Sequence, residues 1–379
     1  MTSVIRFDDD TLSLRNTRSL RFAMAVLIVV YHSSYAFESY AISRVGYIFV
    51  ALFFFLSGYG LHEGVKNKKG YLRTFLPKRY PSLLIPYFIC GIISVLITAV
   101  AFVQYSNLPA MLIRVFEFPF VYPVTWYVAE LVVFYALFFV TFVFLRGRTA
   151  VAVLSILATI AAWILAAHYD RIVFSLSFVG FILGLVWSCH SEKIVSVLKR
   201  FFVPVFIILT AVLLIPFGTG YGWWADNMFV PGIRCSAFVI MIIMLRMLNL
   251  RKNLPVFVSV AVCFSAYLLW GWESAGTDWV HHAAPQLLFV VIVIVLLTKI
   301  PLTDDIMSKW GISYELYLLH WTILVIIYAH LWVGNVFIGT VLGIVLSIAV
   351  AAGAHLLSYF VLRRYDRAFE RLEKEYHPQ

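Results

Sequence analysis

Charged residues are what this 379-residue chain has least of: Asp, Glu, Lys and Arg make up 13% of it, against 63% hydrophobic and 17% aromatic residues. A soluble domain carries about a quarter charged residues, so a water-facing surface of ordinary size is excluded. Mean hydropathy is +0.93, and the chain reads as an integral membrane protein. Cysteine is almost as scarce. Cys90, Cys189, Cys235 and Cys263 all lie within or at the ends of apolar runs, with no paired spacing. That argues against a disulfide framework or a zinc knuckle, and no metal site is expected. No Gly-x-Ser-x-Gly elbow is present, so a serine hydrolase of that kind is not expected. Internal repeats of the sort that mark many secondary transporters are also missing. Long polar stretches are lacking too, so no large soluble domain fits. No small-residue cleavage site follows the first apolar run, which reads as a retained span and not a signal peptide.

What the chain has is apolar runs. Twelve candidates for crossing a bilayer, each needing about 20 residues, fall near 20–38, 45–64, 81–105, 125–145, 149–168, 172–189, 201–217, 231–248, 254–273, 284–300, 312–332 and 334–362. Those at 172–189, 201–217 and 284–300 are short. The expected fold is all-α, a polytopic transmembrane helix bundle of about 10–12 spans. It forms a single membrane-embedded domain over 1–379, with short polar ends at 1–19 and 363–379. Basic residues set its orientation. Of 29 Lys and Arg, 25 fall in 1–21, 65–80, 146–148, 190–200, 246–253, 299–310 and the tail from 363, which alternation puts on one side. The other side keeps only Arg44, Arg114, Arg171 and Arg234. The positive-inside bias places both termini in the cytoplasm. The net charge of +10 is thus mostly a topology signal, and no nucleic-acid partner is expected.

Ionisable side chains at membrane depth are costly and default to functional candidates. Here they are His32, Glu130, Glu315 and His320, with Arg79 and Arg234 near the boundaries. In "RFAMAVLIVVYH", His32 lies about 16 Å beyond Arg21 along a helix, past the middle of a core about 30 Å thick. Glu130, in "TWYVAELVVFY", enters from the opposite side to a comparable depth. Such a carboxylate can orient an imidazole and raise its basicity. The plainer reading of His32 is a neutral ring bonding a neighbouring helix. Glu315 and His320, five residues apart in "SYELYLLHW", are about 140° apart around a helix and need not face one cavity.

Four separated stretches combine into a pattern: "RSLRFAMAVLIVVYH" (18–32), "IFVALFFFLSGYGL" (48–61), "LRTFLPKRYPSLLIPYF" (72–88) and "ISYELYLLHW" (312–321). Together they resemble the integral-membrane acyltransferase family 3. The first carries that family's Arg, ten residues, His signature at Arg21 and His32, and the second its aromatic element ending in Ser57-Gly58. The third resembles its basic loop entering a proline-containing helix, and the fourth its "SY-x-x-YLLH" at Ser313, Tyr314, Tyr317 and His320. The start of "TWYVAEL" at Trp126 fits as well. A family arginine three residues after Arg79 is missing, so its role passes to Lys78 or Arg73. Family members are described as ten-helix cores, some with a fused extracytoplasmic domain; this chain resembles a stand-alone version.

The resemblance implies O-acyl transfer, acetyl most often, from cytoplasmic acetyl-CoA or another acyl-CoA to a hydroxyl of a glycan or glycolipid. It implies a multi-pass protein of a bacterial inner, or cytoplasmic, membrane. Acyl transfer needs a bound donor, a base and oxyanion stabilisation. Arg18, Arg21, Arg73, Lys78 and Arg79 are the expected donor-binding cations, since arginine forks suit phosphate. His32 is the expected general base, with an acyl-imidazole as rival mechanism. Glu130 and His320 complete the expected catalytic group. Ser57, Tyr314 and Trp126 line the expected substrate path, with Ser57-Gly58 also readable as a close-packing pair. An acceptor site is expected outside, where Trp126, Trp223, Trp224, Trp279, His281 and His282 collect. Membrane lipids are further partners, and the sequence leaves the oligomeric state open. The runner-up function is a proton-coupled transporter with His32, Glu130, Glu315 and His320 as relay. Transfer to a protein or small molecule is a third.

Overall fold

The computed structural model describes residues 12–36, 46–102, 107–116, 125–169, 172–214, 229–249, 309–330 and 336–376, together with Phe7 and Asp305. Among them the regular structure is helical, apart from one bridge between Phe7 and Leu248. The helices are α1 (Leu14–Ala36), α2 (Gly46–Asn67), α3 (Phe75–Ala101), α4 (Leu108–Phe116), α5 (Trp126–Phe144) and α6 (Gly147–His168). A 3-10 turn (Ile172–Ser175) precedes α7 (Val179–Cys189), α8 (Ser191–Arg200), α9 (Phe202–Leu214), α10 (Phe229–Met247), α11 (Ser313–His330) and α12 (Val336–Tyr376). Helix is what hydrocarbon demands, because it pairs every backbone group within the segment.

Helices α2, α3, α5, α6 and α12 are long and apolar enough to cross a membrane. A sixth span results if α7 and α8, bent by 96° at their junction, count as one. Helices α1, α10 and α11 fill the expected runs near 20–38, 231–248 and 312–332. The expected runs near 254–273 and 284–300 lie outside the described residues. The run near 172–189 is shorter as a helix than as apolar sequence: α7 has 11 residues. At 1.5 Å per residue it reaches about 16 Å, short of a hydrocarbon core about 30 Å thick.

The chain divides into two compact units. The first holds Met1–Leu27, Tyr40–Asn67 and Leu145–Trp310. In it α2 meets α7 across glycines. A Cβ at Gly58 would strike the Phe181 carbonyl, one at Gly180 that of Ala51, and one at Gly184 that of Phe55. Backbones approach this closely only where side chains are absent, the usual packing device inside a membrane. Helix α6 turns Ala150, Leu154, Ala158, Ala162 and Ala166 inward at four-residue steps and leaves Ile156, Ile160, Trp163 and Ile164 exposed. Its inward positions are mostly alanine and its outward ones bulky, because lipid does not penalise apolar surface. A polar staple fixes the bend after α7. Ser188 Oγ donates to Glu63 Oε1 (2.6 Å) and accepts from His62 Nδ1 (2.8 Å), while Lys66 donates to Glu63 (2.8 Å).

The second unit holds Ile28–Ser39, Lys68–Phe144 and Gly311–Gln379. Its centre is α11, packed on α12 and α3 and buried along most of its length. Helix α12 faces inward with Ser347, Ala351, Ala354 and Ser358, and outward with Leu346, Leu356, Leu357 and Phe360. Pro81 and Pro86 lie inside α3. Neither has an N–H, so each denies the carbonyl one turn earlier its helical donor. Next to this weakened ladder the Leu83 carbonyl accepts a hydrogen bond from the Tyr314 hydroxyl (3.0 Å).

Candidate active site

Most of the sequence-predicted residues fall in the second unit. The clearest is a pair of histidines. His32, on the second half of α1, and His320, on α11, approach with His320 Nε2 2.9 Å from His32 Nδ1. The proton positions follow from the neighbours. His320 Nδ1 lies 2.6 Å from the Tyr317 carbonyl, which only accepts, so Nδ1 carries the hydrogen. Nε2 of a neutral His320 then holds the lone pair. His32 Nδ1 must therefore donate to it, and the same N–H faces the Ile28 carbonyl at 3.1 Å. What remains is His32 Nε2, whose lone pair neither bond uses. The pair is a base with its tautomer fixed from behind.

Burial distinguishes the two rings. His320 is fully enclosed, whereas His32 is half-buried and keeps an accessible edge. Two half-buried aromatic rings flank His32 edge-on: Tyr31, with centroids 4.8 Å apart, and Trp321 at 5.4 Å. Neither flanking ring was singled out from sequence. Trp321 carried a signal in its place directly after the motif histidine.

Glu130 is not the partner of His32. It is fully buried on α5, and both its carboxylate oxygens lack a hydrogen-bond partner among the described residues. Glu315 turns to another helix and accepts from His355 Nδ1 of α12 at 2.9 Å. Its 140° offset from His320 is thus realised. The expected four-member relay is split among His32 with His320, Glu315 with His355, and Glu130 by itself among these described contacts.

Residues expected on the substrate path have committed hydrogens. Tyr314 donates to Leu83. Ser57, in the first unit, donates back to the Phe53 carbonyl (2.9 Å). Its neighbour Gly58 meets the Phe181 carbonyl, which fits the close-packing reading. Trp126 is buried at the start of α5; beside it Tyr127 meets Tyr317 edge-on at 5.5 Å.

The donor-site cations divide between the units. Arg18, exposed, and Arg21, half-buried, lie on the first half of α1. In the second unit the loop before α3 turns through Gly70, whose φ of +65° favours glycine. The turn gathers Lys68, Lys69, Lys78 and Arg79 around a basin of about 380 Å³, with Tyr71, Thr74 and Ser82 as polar lining. Arg73 is exposed on the same loop and does not line the basin. Arg79 is held by a bond from Nε to the Tyr71 hydroxyl (3.0 Å). Burial raises the Tyr71 phenol above its ordinary value, and the Arg79 guanidinium pulls it part of the way back. Among the described residues no carboxylate pairs with these four cations, so the basin is an uncompensated positive site. Trp223, Trp224, Trp279, His281 and His282, expected to face the acceptor, lie outside the described residues. No group of metal-holding side chains occurs among the described residues.

Comparison with known protein families gives a match. A family model described as "Acyltransferase domain", that of acyltransferase family 3, matches residues 18–300. That range includes His32 and the basin and stops short of His320. No curated protein and no solved structure gives a significant match.

Proposed function

The chain belongs to acyltransferase family 3, and from that premise we propose that it moves an acyl group, acetyl foremost, from cytoplasmic acyl-CoA to a hydroxyl of an envelope glycan or glycolipid. The observation that carries this reading is the His32–His320 pair, which leaves Nε2 of a half-buried imidazole as an oriented base. Nε2 takes the proton of the acceptor hydroxyl as its oxygen attacks the thioester carbonyl. The tetrahedral intermediate collapses, the carbon–sulfur bond breaks, and the thiolate takes the proton from His32. The products are an ester and a free thiol. As the imidazolium forms, its Nδ1–H points at His320 Nε2 and the Ile28 carbonyl, both acceptors of a positive donor.

The basin supports the donor half of this reading. Acyl-CoA carries several phosphate charges, and among the described residues Lys68, Lys69, Lys78 and Arg79 have no carboxylate to satisfy first. Positive-inside counting puts this loop on the cytoplasmic face, where acyl-CoA is made. The cytoplasmic termini, the bacterial inner membrane and the glycan acceptor belong to the same proposal. A transporter needs a continuous chain of titrating groups, and the separation of Glu130 and Glu315 from the histidine pair argues for the enzyme.

The test is His32→Ala in membranes supplied with radiolabelled acetyl-CoA. Transfer to surface glycans should fall by about 10²–10⁴, the range of a general base, while the variant inserts normally and acetyl-CoA still raises its melting temperature. Unchanged transfer by the folded variant would refute the assignment.

A further inference from the structure

Acyl transfer needs a donor for the oxyanion as well as a base, and the histidine pair supplies none. His320 spends its Nδ1–H on the Tyr317 carbonyl, and His32 spends its own on His320 and the Ile28 carbonyl. Hydroxyls on the same helices are committed or shut in. Ser33 Oγ donates to the Val29 carbonyl (2.8 Å) and the Tyr314 hydroxyl to that of Leu83 (3.0 Å). The Thr322 hydroxyl has no partner, but it is enclosed and out of a substrate's reach. His32 and His320 both lie inside helices, where backbone N–H groups are paired one turn back.

Trp321 is different. One residue after His320, it is turned about 100° around α11, and its ring touches that of His32 at 80°, with centroids 5.4 Å apart. Both rings are half-buried. Among the described residues the Trp321 indole N–H meets no hydrogen-bond acceptor. A sheltered indole N–H ordinarily finds one, because a donor left dry in an apolar interior costs free energy. Its acceptor is then supplied by what binds beside His32. The distances suit the reacting carbonyl. With the acceptor hydroxyl about 2.8 Å from Nε2, the carbonyl oxygen under attack lies about 4–5 Å from the same nitrogen, a span that an indole in contact with the imidazole covers.

We infer that Trp321 is the oxyanion donor of the acyl transfer, an inference that rests on the reading of His32 as base. The acceptor oxygen attacks the carbonyl carbon, the carbonyl electron pair moves onto its oxygen, and the Nε1–H of Trp321 bonds the charge that forms there. On collapse the pair returns to the carbon–oxygen bond and the thiolate leaves. Trp321 neither gains nor loses a proton. A neutral donor suits membrane depth, where a fixed cation would be costly between turnovers.

The test removes the N–H and keeps the ring. Benzothienylalanine, which carries sulfur where tryptophan carries N–H, is placed at position 321 of the full-length protein by nonsense suppression, and Trp321→Phe is made alongside. The same analogue at Trp163, exposed on α6, controls for the replacement itself and should leave transfer unchanged. Label moved from radiolabelled acetyl-CoA to surface glycans is measured across pH. At position 321 the sulfur analogue should lower kcat by about 10²–10³, the cost of losing one oxyanion donor, and Trp321→Phe should lose at least as much. KM for acetyl-CoA should stay within about twofold, the melting temperature should match wild type, and the acid side of the pH profile should not move, because the base is intact. A full rate with the sulfur analogue overturns the inference, whether or not Tyr31→Phe slows the reaction. So does a raised KM at unchanged kcat, which would make the N–H a ground-state contact, or a displaced acid limb, which would make Trp321 a support for His32. In each of these cases an inactive His32→Ala leaves the acyl-transfer reading standing; transfer that survives His32→Ala sinks that reading instead.

Discussion

Replacing His320 separates an oriented base from a merely present one. In the resting protein its Nε2 accepts a neutral hydrogen bond from His32, worth about 0.5–1.5 kcal/mol net; once His32 takes the acceptor's proton, the bond becomes charge-assisted and worth about 1.5–3 kcal/mol. The increase, roughly 1–1.5 kcal/mol, is made only on the way to the transition state. It corresponds to about a tenfold fall in kcat for His320→Ala. KM for acetyl-CoA should stay within about twofold, since an interaction absent from the ground state does not alter binding. Truncation of a fully enclosed ring also opens a cavity, so His320→Gln, which keeps bulk and an acceptor oxygen, should recover most of the rate. The decisive measurement is the double variant, assayed by label transferred from acetyl-CoA to the envelope. If His320 acts through His32, the pair with His32→Ala is no slower than His32→Ala alone, because residues acting as a unit are not additive. Multiplied losses, or a full rate in a folded His320→Ala, would refute the tautomer argument.

Two further predictions follow from packing and charge. Gly58→Ala puts a methyl group against the Phe181 carbonyl and should cost about 1–3 kcal/mol, read as a lower melting temperature in detergent. Gly60→Ala, whose methyl meets nothing within 4 Å, should be neutral or slightly stabilising. Arg79→Lys keeps the charge in the basin but loses the Nε donor to Tyr71 and the bidentate fork. KM for acetyl-CoA should rise about three- to tenfold, with a steeper salt dependence than a kcat defect would show.

Much of the fold was legible because it rests on periodicity and composition. The all-helical class followed from apolar run length, and helices appear where the runs near 45–64, 125–145 and 149–168 lie. The short α7 was not legible. Apolar sequence begins near Ile172 while the helix starts only at Val179, and the 96° bend after it sits beside a staple with Glu63, more than 120 residues away in sequence. The site divides the same way. The angular separation of Glu315 and His320 is a local property of one helix, and they do go to α12 and α1. The partner of His32 is a long-range property, 288 residues distant. Depth alone gave Glu130 and His320 similar claims. The habit of pairing imidazole with carboxylate favoured Glu130, and the structure joins two imidazoles instead.

The inward small faces of α6 and α12 bear on how such a sequence can drift. On a water-soluble helix, exchanging one apolar residue for a larger one is risky only in the core, and hydropathy flags the core. Here hydropathy flags nothing, since both faces are apolar. Ile156, Ile160 and Ile164 can wander among Leu, Val, Ile and Phe with little penalty. Ala158 and Ala162, two residues away and fully enclosed, cannot grow by one carbon without displacing what packs on them. A substitution that raises the membrane affinity of the segment is then the one that breaks it. Comparison by hydrophobicity would score the damaging and the silent changes alike, so residue volume at four-residue intervals is the quantity in which this protein's tolerance is written.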